Sequence, residues 1–142
     1  MPNRVHLITL GTKDMKTARA YYEAMGWVAS PLSQDEVTFF QSGEQVLGLY
    51  LQDMLDHDTG LTDHKPGGIT LAMNMQSRED VDAHMEKAVQ AGATKLKAPV
   101  VMPWGGYVGY IADPDGHPWE FSYVEQPVPD ENGALILPES FD

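Results

Sequence analysis

The stretch LITLGTKDMKTARAYYEAMG, Leu7 to Gly26, carries the unit on which the rest of the chain is built. Leu7 to Leu10 is short and apolar, as a strand requires, and Asp14 stands where a helix needs an acceptor for its first free N–H groups. Met15, Ala18, Tyr22 and Met25 follow at helical spacing, and Gly26 supplies the stop. The tripeptide Ile8-Thr9-Leu10 returns as Ile69-Thr70-Leu71, and a second helix signal follows it. Ser77 is the cap, with Asp80 three residues on; Val81, Met85 and Ala88 form the stripe, and Gly92 ends it. A repeated tripeptide can be chance, but agreement in element order, helix stops and spacing identifies a duplicated unit.

Three strand-like segments follow each helix: WVASPL, EVTFFQS and QVLGLYL in the first half, TKLKAPVV, GYVGYIAD and HPWEFSYV in the second. The expected fold class is therefore α+β, two βαβββ modules forming a cupped mixed sheet with helices on the convex side. Module 1 runs from about 4 to 51, a polar connector from 52 to 67, module 2 from about 68 to 124, and a tail from 125 to 142, all in a single domain, 1–142. The connector is read as opening with one helical turn. Ala134 to Leu137 is the part of the tail expected to dock. One helix cannot cover both faces of a curved four-stranded sheet, so the concave faces are expected to meet around a cavity between the repeats.

Composition excludes several functions. The formal charge is −12 and no Lys/Arg cluster interrupts it, which argues against nucleic acid. No apolar run approaches the roughly 18 residues of a membrane span. The start, MPNRVHLITLG, reads as a strand and not a leader peptide. The absence of cysteine removes disulfides, thiolate zinc sites and thiol nucleophiles and fits a cytoplasmic location. Lys95 and Lys97 alternate along one strand and are read as edge protection.

The segment YIADPDGHPWEF, Tyr110 to Phe121, holds the main candidate. Asp113-Pro114-Asp115-Gly116 reverses the chain. Trp119 and Phe121 on the returning strand should then face the helices, turning Glu120 toward the cup. There Glu120 is a general base or an anchor for a cationic group, or simply a carboxylate bonded to neighbouring strands. Phe39 or Phe40, Tyr50, Trp104, Tyr107 and Tyr110 surround the proposed cup, with alternation sending only part of this set inward. Trp104 and Tyr107 are expected to line an organic-ligand site with Glu120 at its base. His117 is read as a turn residue, His84 as packed or surface, and His57 and His64 as members of a solvated connector.

LITLGTKDMKTARAYYEAMGW and GGYVGYIADPDGHPWEF resemble the opening and closing segments of vicinal oxygen chelate proteins, the superfamily of glyoxalases, bleomycin-resistance proteins and extradiol dioxygenases. The resemblance covers roughly residues 4 to 124. It implies paired βαβββ modules, a homodimer, and in metal-using members a divalent ion held in the cup by side chains on the first and last strands of the modules. Glu120 matches the closing-strand carboxylate. The first-strand position is Leu7, its second-module equivalent Gly68 or Thr70, and the remaining position falls near Leu47 or Gly48. His6 cannot replace Leu7 without a slip that turns the strand over. The expectation is a glyoxalase/bleomycin-resistance-like protein that binds a small organic molecule through Leu7, Tyr50, Trp104, Tyr107 and Glu120, with no cofactor. The alternative is a metal-dependent lyase, transferase or dioxygenase with Glu120 as one metal ligand.

Overall fold

A computed structural model describes residues 3–139. Strand β1 (Leu7–Thr12) leads to helix α1 (Met15–Ala24), then to β2 (Val37–Ser42), β3 (Gln45–Leu51) and α2 (Gln52–Thr59). The second half runs β4 (Leu71–Asn74), α3 (Arg78–Ala91), β5 (Thr94–Val101), β6 (Tyr107–Ala112) and β7 (Pro118–Tyr123). Two mixed sheets result, in orders β1-β3-β2 and β4-β7-β6-β5. Each holds one parallel pair, β1 with β3 and β4 with β7, made by the crossover through its helix.

Both helix signals hold. Asp14 accepts from the Thr17 N–H at 3.2 Å, and Gly26 follows the helix at a φ of 99°. The buried face of α1 is Ala18, Tyr21 and Tyr22. Ser77 accepts from the Asp80 N–H at 3.1 Å, and Val81, Met85 and Ala88 are the buried residues of α3.

Two local expectations are corrected. WVASPL is not a strand: it makes only an isolated bridge, Ala29 to Phe40, so the first sheet has three strands. Pro31 has no N–H to give a ladder, and the chain turns there instead, Ser33 N–H bonding the Ser30 carbonyl at 3.0 Å. The connector opens with an eight-residue helix, α2, longer than one turn. Of the apolar tail run, Leu135, Ile136 and Leu137 are all exposed, and Leu135 also borders a cavity.

The core lies between helices and sheets and joins the two halves. Tyr22, Trp27, Phe40 and Trp119 form an aromatic cluster with ring centroids 5.8–6.3 Å apart. At its edge the Tyr22 hydroxyl donates to Asp113 Oδ2 at 2.6 Å and accepts from Trp119 Nε1 at 3.0 Å. Asp113 Oδ1 also receives the N–H groups of Asp115 and His117, which shapes the DPDG reversal. The reversal is tied to module 1 by Lys13 N–H on Asp115 at 2.9 Å and by His117 Nε2 on the Gly11 carbonyl at 2.7 Å. Burial and the Asp113 carboxylate push the phenols of Tyr21 and Tyr22 up, so both stay protonated.

Gly109 has a packing reason of its own. A Cβ there would stand 2.9 Å from both Met85 Sδ and Pro99 Cγ, so α3 and β5 close over bare backbone.

Three outcomes follow for stability. Tyr22→Phe strands a buried carboxylate oxygen and an indole N–H and should cost about 2–3 kcal/mol in urea unfolding. In the native chain Tyr21 and Tyr22 hold their protons above pH 10 while the unfolded chain releases its own. Stability from these groups is thus full below about pH 10 and falls as pH rises further, and the fall should be shallower in Tyr22→Phe. Gly109→Ala, which needs a shift of backbone-anchored neighbours, should cost about 1–3 kcal/mol in the same assay.

Candidate functional site

The register along β7 places the central candidate. Trp119 and Phe121 are buried in the core against the helices, so Glu120 points to the opposite, concave side and is half-buried there. Its cross-strand neighbours are Tyr110 on β6 and Ala72 on β4. One step along, Ser122 Oγ donates to Asn74 Oδ1 at 3.1 Å. Burial first, and then the Glu120 charge, raises the Tyr110 phenol above its ordinary value, so it faces Glu120 as a neutral donor.

On the first sheet the same alternation gives Leu7, Thr9 and Gly11 on β1, opposite Val46, Gly48 and Tyr50 on β3. Leu47 is buried in the core, which leaves Gly48 as the concave-face residue of that pair. A Cβ on Gly48 would meet Leu7 Cδ1 at 3.4 Å and the Phe39 ring at 3.7 Å. Two hydrocarbon side chains therefore converge over bare backbone. Phe40, the alternative to Phe39, is fully buried on the helix side.

The structure separates the other expected lining residues. Tyr107 stands three positions from Tyr110 and so on the opposite face: its hydroxyl donates to Asp82 Oδ1 on α3 at 2.7 Å and Arg78 lies 5.5 Å from its ring centroid. Tyr107 is thus not brought to the Glu120 face. Trp104 is exposed and folds back over Gly106, where a Cβ would lie 2.3 Å from its ring. Tyr50 is on the concave face of β3, but its hydroxyl is taken by Asp58 of α2 at 2.8 Å. Gly68 and Thr70 precede β4, which begins at Leu71, so neither occupies a strand position. The β4 residue beside Glu120 is Ala72.

Among the histidines, His84 is half-buried on α3, 5.6 Å from the Phe121 ring, and burial lowers its pKa. His6 and His57 are exposed. His64 is not the free loop residue its sequence neighbours suggest: its Nδ1 is bonded to Asp56 Oδ1, which also accepts from Gln52 Nε2 at 2.8 Å. No local pattern announced this, because the connector must fold back eight residues to bring His64 onto α2.

Two cavities lie between β1 and β4, each the outer strand of its sheet and sharing no ladder with the other. One, of about 330 Å³, is lined by Ile8, Val46, Met73 and Asn74 and closed by Pro129 and Leu135 of the tail. The other, of about 300 Å³, lies between Thr9 and Gly11 of β1, α2 and the connector.

Comparison with known proteins matches residues 4–121 to the family model described as Glyoxalase/Bleomycin resistance protein/Dioxygenase superfamily. The chain belongs to this superfamily. It is 33% identical to a solved glyoxalase-related enzyme from Fulvimarina pelagi, with a TM-score of 0.89 and coverage of 96% of this chain and 99% of that one. The lactoylglutathione lyase structure from Agrobacterium tumefaciens shares the fold alone, at 20% identity and a TM-score of 0.69 over 90% and 99% of the two chains. An uncharacterized protein of Mycobacterium bovis is 43% identical over 53 residues, covering 37% of this chain and about a third (33%) of its own length.

Metal-using superfamily members need several donors converging in the cup, and the side chains here do not supply them. Glu120 has a phenol and an alanine as cross-strand neighbours, and the first sheet presents Leu7, Gly48 and Phe39. A zinc or transition-metal site takes at least about three protein ligands. Among the described residues, no three His, Cys, Asp or Glu side chains are placed to share an ion. The residues present do not fit the superfamily's metal set.

Glu120→Gln removes the charge that disfavours the Tyr110 phenolate. Tyr110 should therefore ionise at lower pH in the variant, read by NMR titration of its ring carbon.

Proposed function

We propose that this protein binds a small organic molecule on its concave side through direct side-chain contacts, in the manner of a glyoxalase/bleomycin-resistance-like binding protein. The observation that supports this most is the convergence of Leu7 and Phe39 over Gly48. Leu7 stands at a position that carries a ligand in metal-using relatives, and the hydrocarbon there and on Phe39 receives the apolar part of an organic ligand. Glu120 and Tyr110, paired across β6 and β7, give that ligand one acceptor and one donor. A cationic or N–H-bearing group suits the carboxylate. Leu7 and Glu120 keep their expected roles in this reading, and Tyr110 and Phe39 replace Tyr107 and Trp104.

A second reading makes Glu120 a general base acting on the bound molecule. It is favoured by the 33% identity, over nearly the whole chain, to a protein described as a glyoxalase-related enzyme. The reading includes a homodimer, supported by exposed Leu96, Val100 and Val101 on β5, the outer strand of the second sheet.

The test combines metal analysis of protein purified without a histidine tag with thermal-shift screening of small hydrophobic amines. Less than stoichiometric divalent metal is expected, with a binder whose stabilisation vanishes in Glu120→Ala. At a concentration a hundred times its Kd such a binder adds about 2.7 kcal/mol. A stoichiometric divalent ion, lost in Glu120→Ala, would replace this reading with a metal-dependent lyase, transferase or dioxygenase.

A further inference from the structure

The cavity of about 300 Å³ between β1, α2 and the connector is lined mainly by hydrocarbon, including Ile8, Leu55, Ile69 and Leu71. Glu120 does not line it. At one side it opens into a more polar cleft of about 570 Å³. Gln52, His64, Lys65 and His117 line both spaces and so stand at the junction.

Both histidines at this junction are held by hydrogen bonds. His64 Nδ1 lies against both Asp56 Oδ1 and, at 3.2 Å, Gln52 Nε2; in the tautomer with hydrogen on Nδ1 it donates to the ionised carboxylate, which can only accept. Gln52 Nε2 donates to the same carboxylate oxygen, Oδ1, at 2.8 Å, and the two bonds, Gln52 first, hold Asp56 below the usual carboxylate range. His64 Nε2 is then the ring nitrogen with a free lone pair, and a proton arriving there makes an imidazolium already paired with a carboxylate. The bond of His117 Nε2 to the Gly11 carbonyl orients that ring in the same way and leaves its Nδ1 as an acceptor. Gly11 matters to the arrangement: a Cβ there would stand 1.9 Å from Gln52 Oε1, so glycine makes the room in which Gln52 lies. The other charged side chains lining the polar cleft are Lys13, Asp63 and Asp115.

We propose that this cavity is a second ligand site, for a small single-ring phenol or an enol of similar size, with His64 as its proton acceptor and Asp56 as the residue that positions His64. The hydrocarbon body enters the apolar space. The O–H bond breaks, its proton passes to His64 Nε2, and the electron pair stays on the oxygen, beside the Lys65 ammonium. No other reactant is needed. The site is independent of the Glu120 face, so either can fail without the other.

The probe is 4-nitrophenol, whose ionised form is yellow, titrated with the full chain at a pH below the probe's own pKa. A saturable rise in the phenolate band is expected. His64→Ala and Asp56→Asn should each weaken it by about tenfold, the range for loss of one charged hydrogen bond. His57→Ala, on the exposed side of α2, should match the native protein. Circular dichroism establishes that each variant is folded, and the two site variants act independently should one not be. 4-Nitroanisole, which has no proton to give, should compete at least about tenfold less well than 4-nitrophenol does. No rise in the phenolate band, a rise unchanged in folded His64→Ala or Asp56→Asn, or equal competition by the anisole would each overturn the proposal.

Discussion

The fold hangs on one buried carboxylate. Asp113 is almost wholly removed from water, and an ionised group there is tolerable only if its lone pairs are filled. It receives the Tyr22 hydroxyl from the first module's helix and two backbone N–H groups from its own reversal. Tyr22 in turn accepts from Trp119, on the strand that carries Glu120. Separating the modules would leave the carboxylate, the phenol and the indole short of partners together. The hydrogen-bond network gives the interface direction, and the aromatic cluster around Tyr22 gives it area.

That joint also explains where the cavities lie. The halves are held at the helix layer and at the 113–117 turn, while β1 and β4 share no ladder and face common cavities. Two edges without a shared ladder do not close to side-chain density by themselves. The gap is instead roofed by segments from outside the repeats, α2 and the connector over one part and the tail over another. Helix α2 has no buried residue, and its position rests on polar bonds such as Tyr50 to Asp58 and His64 to Asp56. Polar groups are thus kept beside apolar cavity walls, which is the chemical setting of small-molecule sites generally.

The concave face shows how strongly strand parity constrains function. Tyr107 and Tyr110 are three residues apart on one strand, yet one bonds a helix carboxylate and the other faces Glu120. Leu47 and Gly48 are adjacent, yet one is core and the other is the place where Leu7 and Phe39 converge. A superfamily scaffold can change the side chains of its concave face and retain its shape, because the core lies on the opposite faces of the same strands. Fold and site chemistry can therefore change separately.

Much of this was legible in the residues themselves. Asp14 and Ser77 capped their helices, Gly26 and Gly92 ended them, the stripe Val81-Met85-Ala88 was buried, and alternation through Trp119-Glu120-Phe121 aimed the carboxylate away from the core. These are local properties, fixed by the periods of helix and strand and by hydrogen bonds a few residues long. Other features were not legible. The fourth strand of module 1 was lost to a Ser30–Ser33 turn, Tyr107 was drawn to α3, and His64 was brought onto Asp56 and Gln52 by a connector with no period to read. By itself the sequence determined the duplicated α+β scaffold, its superfamily resemblance and the face of Glu120. Only tertiary structure decided which side chains share a cavity, because that depends on how edges, connector and tail pack across distances no local pattern spans.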